Sequence, residues 1–509
     1  MFRFLLKGKK KEQKPENDKV NETQHKDFQS LKQHMSESND FLDTALNENF
    51  LWMSYFQSLV QMQSLHEHII RPLKENMQNI KKIEDIADFL GLDNIEFCDD
   101  VCEIEEKLMK GYVIFRLREF DSHFGLVFLL NDKSGQRENS DTETEFSVLG
   151  PKVGFVENID INTNILRRLL PTSKLILKEE TIGTISKTKV IIAYLEGVAN
   201  PQNVNTITQR IKEINYDVIA DISLIEQVIS DNSKSIFPLF MTTERPDRVV
   251  VDIANGAIAV LCNGSPAVLT APSSLRQFLV SPEDYYLPWV VGSLFRMIRI
   301  FGVAFSIFAT PFYVAILTYH YQMIPKDLLG PLISSRSNVP FPPIIEALFL
   351  EITIELLREA GARLPTKVGQ TLGIVGGIVI GQAAVEAALT SNILLILVAL
   401  SALASFTSPI YKMNNTLRFL RFPFILFAAL FGMVGITICL WFTLTHLIRL
   451  TSLGTPYLVP FYPPRKSFWG DTFVRAPYSK MIKTVDYYRP GAIFRVKGKN
   501  VKEKKDIDE

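Results

Sequence analysis

The side chains with the most chemical reach in this sequence lie inside apolar runs. Glu386 sits in KVGQTLGIVGGIVIGQAAVEAALTS, residues 367–391, a stretch otherwise almost uncharged and about the ~20 residues that a bilayer core requires. At helical spacing Thr371, Gln382 and Glu386 fall within a narrow arc that also holds Val375 and Ile378. Gly369, Gly373, Gly377 and Gly381 recur at every fourth residue on the opposite side, and Ala384 and Ala388 extend that stripe. In lipid, small residues at this step let a second backbone approach closely. A carboxylate at such depth costs about 3 kcal/mol and must face protein or water. The chemistry within reach is passage of water or ions, with Val375, Ile378 and Val379 as an apolar constriction that closes by drying. The plainer alternative is a bundle helix whose Glu386 bonds a neighbour or lies near the membrane surface.

A second acidic run, IIEALFLEITIELLREAG (344–361), poses a related problem. Glu351, Glu355, Arg358 and Glu359 share one helical stripe, with Glu346 on the far side. Such a helix can lie flat at an interface with its acids in water. It can turn the acids towards a pore, where carboxylate rings favour cations. Or it can bury them against Arg296, Arg299 or Arg363. We rank interface or partner packing first and the pore second.

Nothing points to an enzyme. His66 and His68 do not share a helix face, and His123 stands alone. GxSxG, Walker-type and GxGxxG patterns are missing, so no catalytic residue, metal or cofactor is expected. Cys98, Cys102, Cys262 and Cys439 form no ligand pattern and read as reduced structural thiols. The cluster Glu244–Arg245–Pro246–Asp247–Arg248 is dense enough in charge to hold an anion, but a surface ion-pair patch or subunit contact fits it better.

These groups need elements to place them. Lysine plus arginine and aspartate plus glutamate both number 55, so net charge is zero, but the distribution is uneven. Residues 1–285 and 450–509 carry most of the charge and 286–450 most of the long apolar runs, which predicts a soluble part followed by a membrane part. The polar tail 1–40 is expected to be disordered. No nucleic-acid module accompanies its basic start. No secretory signal is evident, which places the soluble part in the cytosol. The spacing of Leu42, Leu46, Phe50 and Met53 predicts helix across much of 41–110, then short strands at 111–120 and 125–130 and a polar loop at 131–145. Over 150–285 strands alternate with helices, with strands at 175–180, 190–194, 249–252, 257–262 and 267–270. The fold class is therefore an α/β domain of one or two lobes over 41–285, then an all-α polytopic membrane domain over 286–450 and a basic tail over 451–509. Arg296 and Arg299 are expected to snorkel at the start of the first crossing. Residues 320–343 form a proline-rich connector. A basic loop at 411–421 and the basic tail both argue for the cytosolic side, which a single last crossing at 422–450 cannot satisfy. The charge rule leaves four or five crossings.

Several phrases in order, among them GFVENIDINTNILRRLL, IIAYLEGVANP, TERPDRVV, NGSPAVLTAP, SNVPFPPIIEALFLEITIELLREAGARLP, IGQAAVEA and LTSLGTPYLVPFYP, resemble the A subunits of the GerA family of spore germinant receptors over roughly residues 40–480. A sister group, the stage V sporulation AF-type proteins, shares the architecture. The resemblance implies a protein of the spore inner membrane that works with a transporter-like B subunit and a lipoprotein C subunit. It further implies a homo-oligomer, thought pentameric, forming a nutrient-gated cation channel. The motif positions it carries over are Arg167, Arg168, Glu244, Arg245 and Pro246 in the soluble part and Gly376, Gly377, Gly381 and Gln382 in the membrane. The rival readings are a transporter working by alternating access and a non-conducting membrane scaffold.

Overall fold

The computed structural model describes residues 27–47, 51–76, 80, 82–90, 95–118, 124–129, 145, 149–363, 377, 379–464 and 471–477. They form two compact units.

The first unit is built on an antiparallel sheet of order β1-β2-β4-β5-β3, with β1 Phe41–Asn47, β2 Leu51–Phe56, β3 Ile95–Cys98, β4 Tyr112–Arg116 and β5 Phe124–Phe128. Alternation along the strands feeds two cores. Met53, Tyr55, Val113 and Phe115 face the helical stretch α2 Met62–Leu65, α3 Arg71–Glu75 and α4 Asp85–Leu90. Phe56, Ile114, Phe124 and Leu126 face α1 Phe28–Met35 and α5 Val101–Met109. The helix expected around Leu42 to Met53 is instead the β1–β2 hairpin. A four-residue step returns to the same face of a strand as well as of a helix, so Leu42 and Leu46 satisfied both periods.

The second unit opens with another antiparallel sheet, β6-β7-β9-β10-β8, comprising β6 Leu175–Ile182, β7 Thr188–Leu195, β8 Met241–Thr243, β9 Ile258–Cys262 and β10 Val268–Ala271. The inner strand β7 reads as a continuous apolar run because both faces are covered. Val190 and Ile192 meet α7 Pro201–Lys212 and α8 Ile222–Ile229. Ile191 and Ala193 meet α6 Ile159–Leu169 and α9 Pro246–Ala254. The strand expected at 249–252 lies within α9. Its β-branched valines are overridden by Pro246 at the first helical turn and by the four-residue step from Val249 to Ile253, which buries both.

Two short helices, α10 Leu275–Leu279 and α11 Glu283–Tyr286, lead into the helical bundle. It comprises α12 Trp289–Tyr319, α13 Lys326–Arg336, α14 Pro343–Arg363, a helix described at 377 and 379–386 (α15), α16 Asn392–Ser405 and α17 Tyr411–Arg449. The connector expected at 320–343 thus contains a helix. Among the described residues α12 and α17 are long and apolar enough to cross a membrane.

The expected loop at 411–421 is the start of α17, and the expected single crossing from 422 is a hairpin. Gly432 has φ 60° and ψ −137°, which breaks the helical path. In an unbroken helix Thr416 and His446 would stand about 45 Å apart at 1.5 Å per residue. Here Thr416 Oγ1 donates to the Ile236 carbonyl at 2.6 Å, and the next ring, Phe237, lies 6.1 Å from that of His446. Both arms therefore begin and end beside the second sheet. At the far tip the Tyr319 hydroxyl donates to Leu430 O at 2.8 Å, and His320 Nε2 accepts from the Met433 N–H at 3.4 Å. The hairpin removes the conflict in the charge pattern, since the basic start of α17 and the segment after Leu450 lie at the same end of the bundle.

Candidate functional site

Along α14 the acids are paired one by one. Glu351 and Arg421 are each about 1% exposed and lie 2.5 Å apart. Thr310 of α12 donates to the other Glu351 oxygen at 2.9 Å, while Arg421 also donates to Ser306 O at 2.8 Å and Ser401 O at 3.3 Å. One guanidinium thus ties α12, α14, α16 and α17 together. Glu346 pairs with Arg336 at 2.7 Å and accepts from the Ser391 N–H at 3.2 Å, and Ser391 Oγ lies 3.0 Å from the Tyr313 hydroxyl. Glu355 meets Arg358 at 3.1 Å and Arg418 at 3.7 Å. Glu359 pairs with Arg363 at 2.6 Å on an exposed turn. Of the arginines proposed as partners only Arg363 serves. Arg421 and Arg336 were missed; the sequence signal that could have found them is that arginines flanking apolar runs on either side of an acidic helix need partners once buried.

Arg296 and Arg299 do not snorkel. Arg296 is fully buried, bonding Asp284 at 3.2 Å and Asp471 at 3.1 Å, and Arg299 holds Asp284 in a fork at 2.9 Å on both sides. Burial wins because α10, α11 and the segment around Asp471 close over the start of α12 and supply the carboxylates.

Of the glycine helix, Gly369, Thr371, Gly373, Val375, Gly376 and Ile378 lie outside the described residues. Val379, Ile380, Gln382 and Glu386 are exposed on the protomer, with Gln382 Nε2 donating to Glu386 at 2.8 Å. Gly381 packs at ordinary contact distance from Leu395 of α16, whereas a Cβ at Gly377 would meet open space. Ala388 does not extend the stripe. It turns left-handed (φ 57°) and ends the helix, with Leu389 N–H donating to Ala384 O.

In the second sheet's domain Arg245 stands just before α9 and forks onto Asp247 at 3.0 and 2.8 Å, and Tyr286 of α11 donates to Asp247 at 2.7 Å. Burial raises the Asp247 pKa, but the Arg245 and Tyr286 hydrogen bonds outweigh it and leave the carboxyl below its ordinary value. Arg248 donates to Gln277 O at 2.9 Å and lies 3.9 Å from Glu145, which accepts from Thr243 at 2.9 Å. Burial pushes the Glu145 carboxyl up despite Arg248. Arg167 and Glu244 are buried nearby in the sequence motifs, with Pro246 at the first turn of α9. The cluster fastens α9 to the helices that lead into α12.

The described residues thus comprise one α/β unit and a second that carries its α/β sheet into a helical bundle with buried intramolecular ion pairs. A family model described as Bacillus/Clostridium GerA spore germination protein matches residues 29–487, and the chain belongs to this family. It is similar to spore germination protein GerQA of Bacillus cereus, at 46% identity covering 96% of this chain and 97% of that one. It is also similar to GerIA of Bacillus cereus, at 44% identity covering 97% and 74%. A crystal structure of the N-terminal domain of the A subunit of the Bacillus megaterium spore germinant receptor GerK3 aligns with 48% of this chain and 92% of its own at 26% identity, with a TM-score of 0.36.

Proposed function

We propose that this chain is the A subunit of a multi-subunit germinant receptor in the spore inner membrane, its α/β domains cytosolic. Its bundle helices line a cation path in a ring of copies. The observation that carries the reading is the contrast between the bundle interior and α15. Inside, Glu346 and Glu351 are buried and matched by arginines within the same protomer. On α15, Val379, Gln382 and Glu386 stand exposed, and one glycine faces open space. A helix with exposed polar and small residues, on a bundle whose buried acids are paired within the protomer, suits assembly around a shared aqueous axis. Family membership supports a role in germination and, with the two long apolar helices, a membrane location. A transporter-like B subunit and a lipoprotein C subunit complete the complex, five copies form the ring, and the chain itself carries no catalysis.

Gating follows from population shift. Nutrient bound elsewhere in the complex favours an open packing of α15, and coupling of 1–3 kcal/mol per site is a typical scale. Purified complexes in planar bilayers should pass monovalent cation current when nutrient is added, and Val379→Ala should raise current without nutrient. A complex that inserts yet stays silent in both states would leave the non-conducting scaffold as the correct reading.

A further inference from the structure

The acids of α14 come with their own cations. Glu346 meets Arg336, Glu351 meets Arg421, Glu355 meets Arg358 and Arg418, and Glu359 meets Arg363. Glu386 of α15 is exposed and meets no cation among the described residues. Its carboxylate accepts instead from the neutral Gln382 amide, one turn back, at 2.8 Å.

Depth makes that exposure informative. Gly381 packs on Leu395, one turn into α16, so α15 and α16 form a hairpin. Ser391 at its tip has its hydroxyl 3.0 Å from that of Tyr313, and Thr407, just past the end of α16, reaches the Arg299 carbonyl at 3.5 Å. Tyr313 stands six residues, about 9 Å at 1.5 Å per residue, before the end of α12 at Tyr319. Glu386 therefore lies between the levels of Arg299 and Tyr313, within the length of α12 and not beyond it. Over that span the neighbouring helices show apolar side chains to the outside, among them Phe312, Phe349, Ile396 and Leu426, which suit lipid. A carboxylate at the same depth must face water or protein. Glu386 also ends α15, where the helix dipole is negative, so the position repels anions and draws cations. Val379, seven residues earlier and exposed on the same face, is apolar and lies nearer the second sheet.

We propose that Glu386 sets the charge selectivity of the path. One carboxylate from each copy forms a ring on the side of Val379 away from the second sheet, where it draws in monovalent cations such as K+ and turns back anions. Gln382 holds the carboxylate in place. The assignment rests on the ring of copies proposed above and names within it the residue that reads ionic charge.

The test uses purified receptor complexes in planar bilayers under a KCl gradient, opened with a mixture of amino acids, nucleosides and sugars. Wild type should favour K+ over Cl− by about tenfold or more, and Glu386→Gln should carry current with that preference cut to about twofold or less. Glu359→Gln, which removes an exposed acid already paired on α14, should leave the preference unchanged. Restoring charge after folding separates selectivity from a structural loss. In a Cys102→Ser background, where the remaining native thiols are buried, Glu386→Cys modified with a sulfonate-bearing thiosulfonate should regain cation preference. The same variant modified with an ammonium-bearing reagent should favour Cl−. Equal preference in wild type and Glu386→Gln, or the same preference after both reagents, would overturn the assignment and leave the ring standing. Wild-type complexes that insert and pass no current would remove the ring reading and the assignment with it.

Discussion

At the residue scale the Glu351–Arg421 pair is where a single change should cost most. Removing the cation leaves a carboxylate sealed among Thr310 and apolar side chains, and breaking a buried pair costs about 3–5 kcal/mol. Arg421→Met should lower the unfolding midpoint in detergent sharply, and adding Glu351→Gln should restore much of the loss. If the double variant is no better than the single one, the damage lies in packing rather than in the orphaned charge. Glu145 behaves in the opposite sense. Its folded pKa is raised by burial, so the folded state holds its proton more tightly than the unfolded chain does. The stability it contributes is complete below the ordinary carboxylate range and is lost as pH rises through the raised value. Glu145→Gln should therefore flatten the decline in stability with rising pH across that window and stabilise the protein above it. Unfolding curves at a series of pH values read this directly.

At the element scale the α17 hairpin is the most constrained feature. A Cβ at Gly435 would lie 1.9 Å from the Phe427 carbonyl oxygen, a backbone atom that cannot swing aside. Gly435→Ala must spread the two arms and should destabilise the bundle by more than the about 1–3 kcal/mol of ordinary overpacking. Gly330→Ala provides the control, because a Cβ there meets nothing within 4 Å. Comparing the two unfolding midpoints in the same detergent isolates the steric term from the loss of backbone freedom.

At the scale of the whole molecule the hairpin sets topology. In a Cys102→Ser background, the remaining native thiols are buried. Single cysteines at exposed Tyr411 and Tyr462 should react with an impermeant reagent from one side of a sealed vesicle, and one at exposed Phe431 from the other. Labelling of Phe431→Cys from the same side as Tyr411→Cys would contradict two crossings by the arms of α17. The same arrangement means that the bundle and the second sheet are one packed unit. Phe237, Leu239, Met241 and Phe278 share a core with Met413, Leu417, Leu447 and Tyr457. Movement of that sheet's domain is thereby movement of the helix ends.

Local pattern was enough to separate a polar α/β region from an apolar helical one, because alternation and charge distribution are properties of neighbouring residues. It located β7, β9, α12 and α14 closely, and the ordered motifs were enough to suggest the family. It failed where two periods coincide, at Leu42 and Leu46, and where a proline and a four-residue step outweigh β-branched side chains, in α9. It could not say which arginine answers which glutamate. Arg421 reaches Glu351 across 70 residues of chain, and only the crossing of four helices brings them together. Nor could it foresee that Gly432 reverses the last helix, since glycines within an apolar run are locally tolerable in a membrane helix. The composition of each stretch was decided by the sequence. The partners of its buried charges and the direction of its last helix were decided by packing, which sums contacts between residues far apart along the chain.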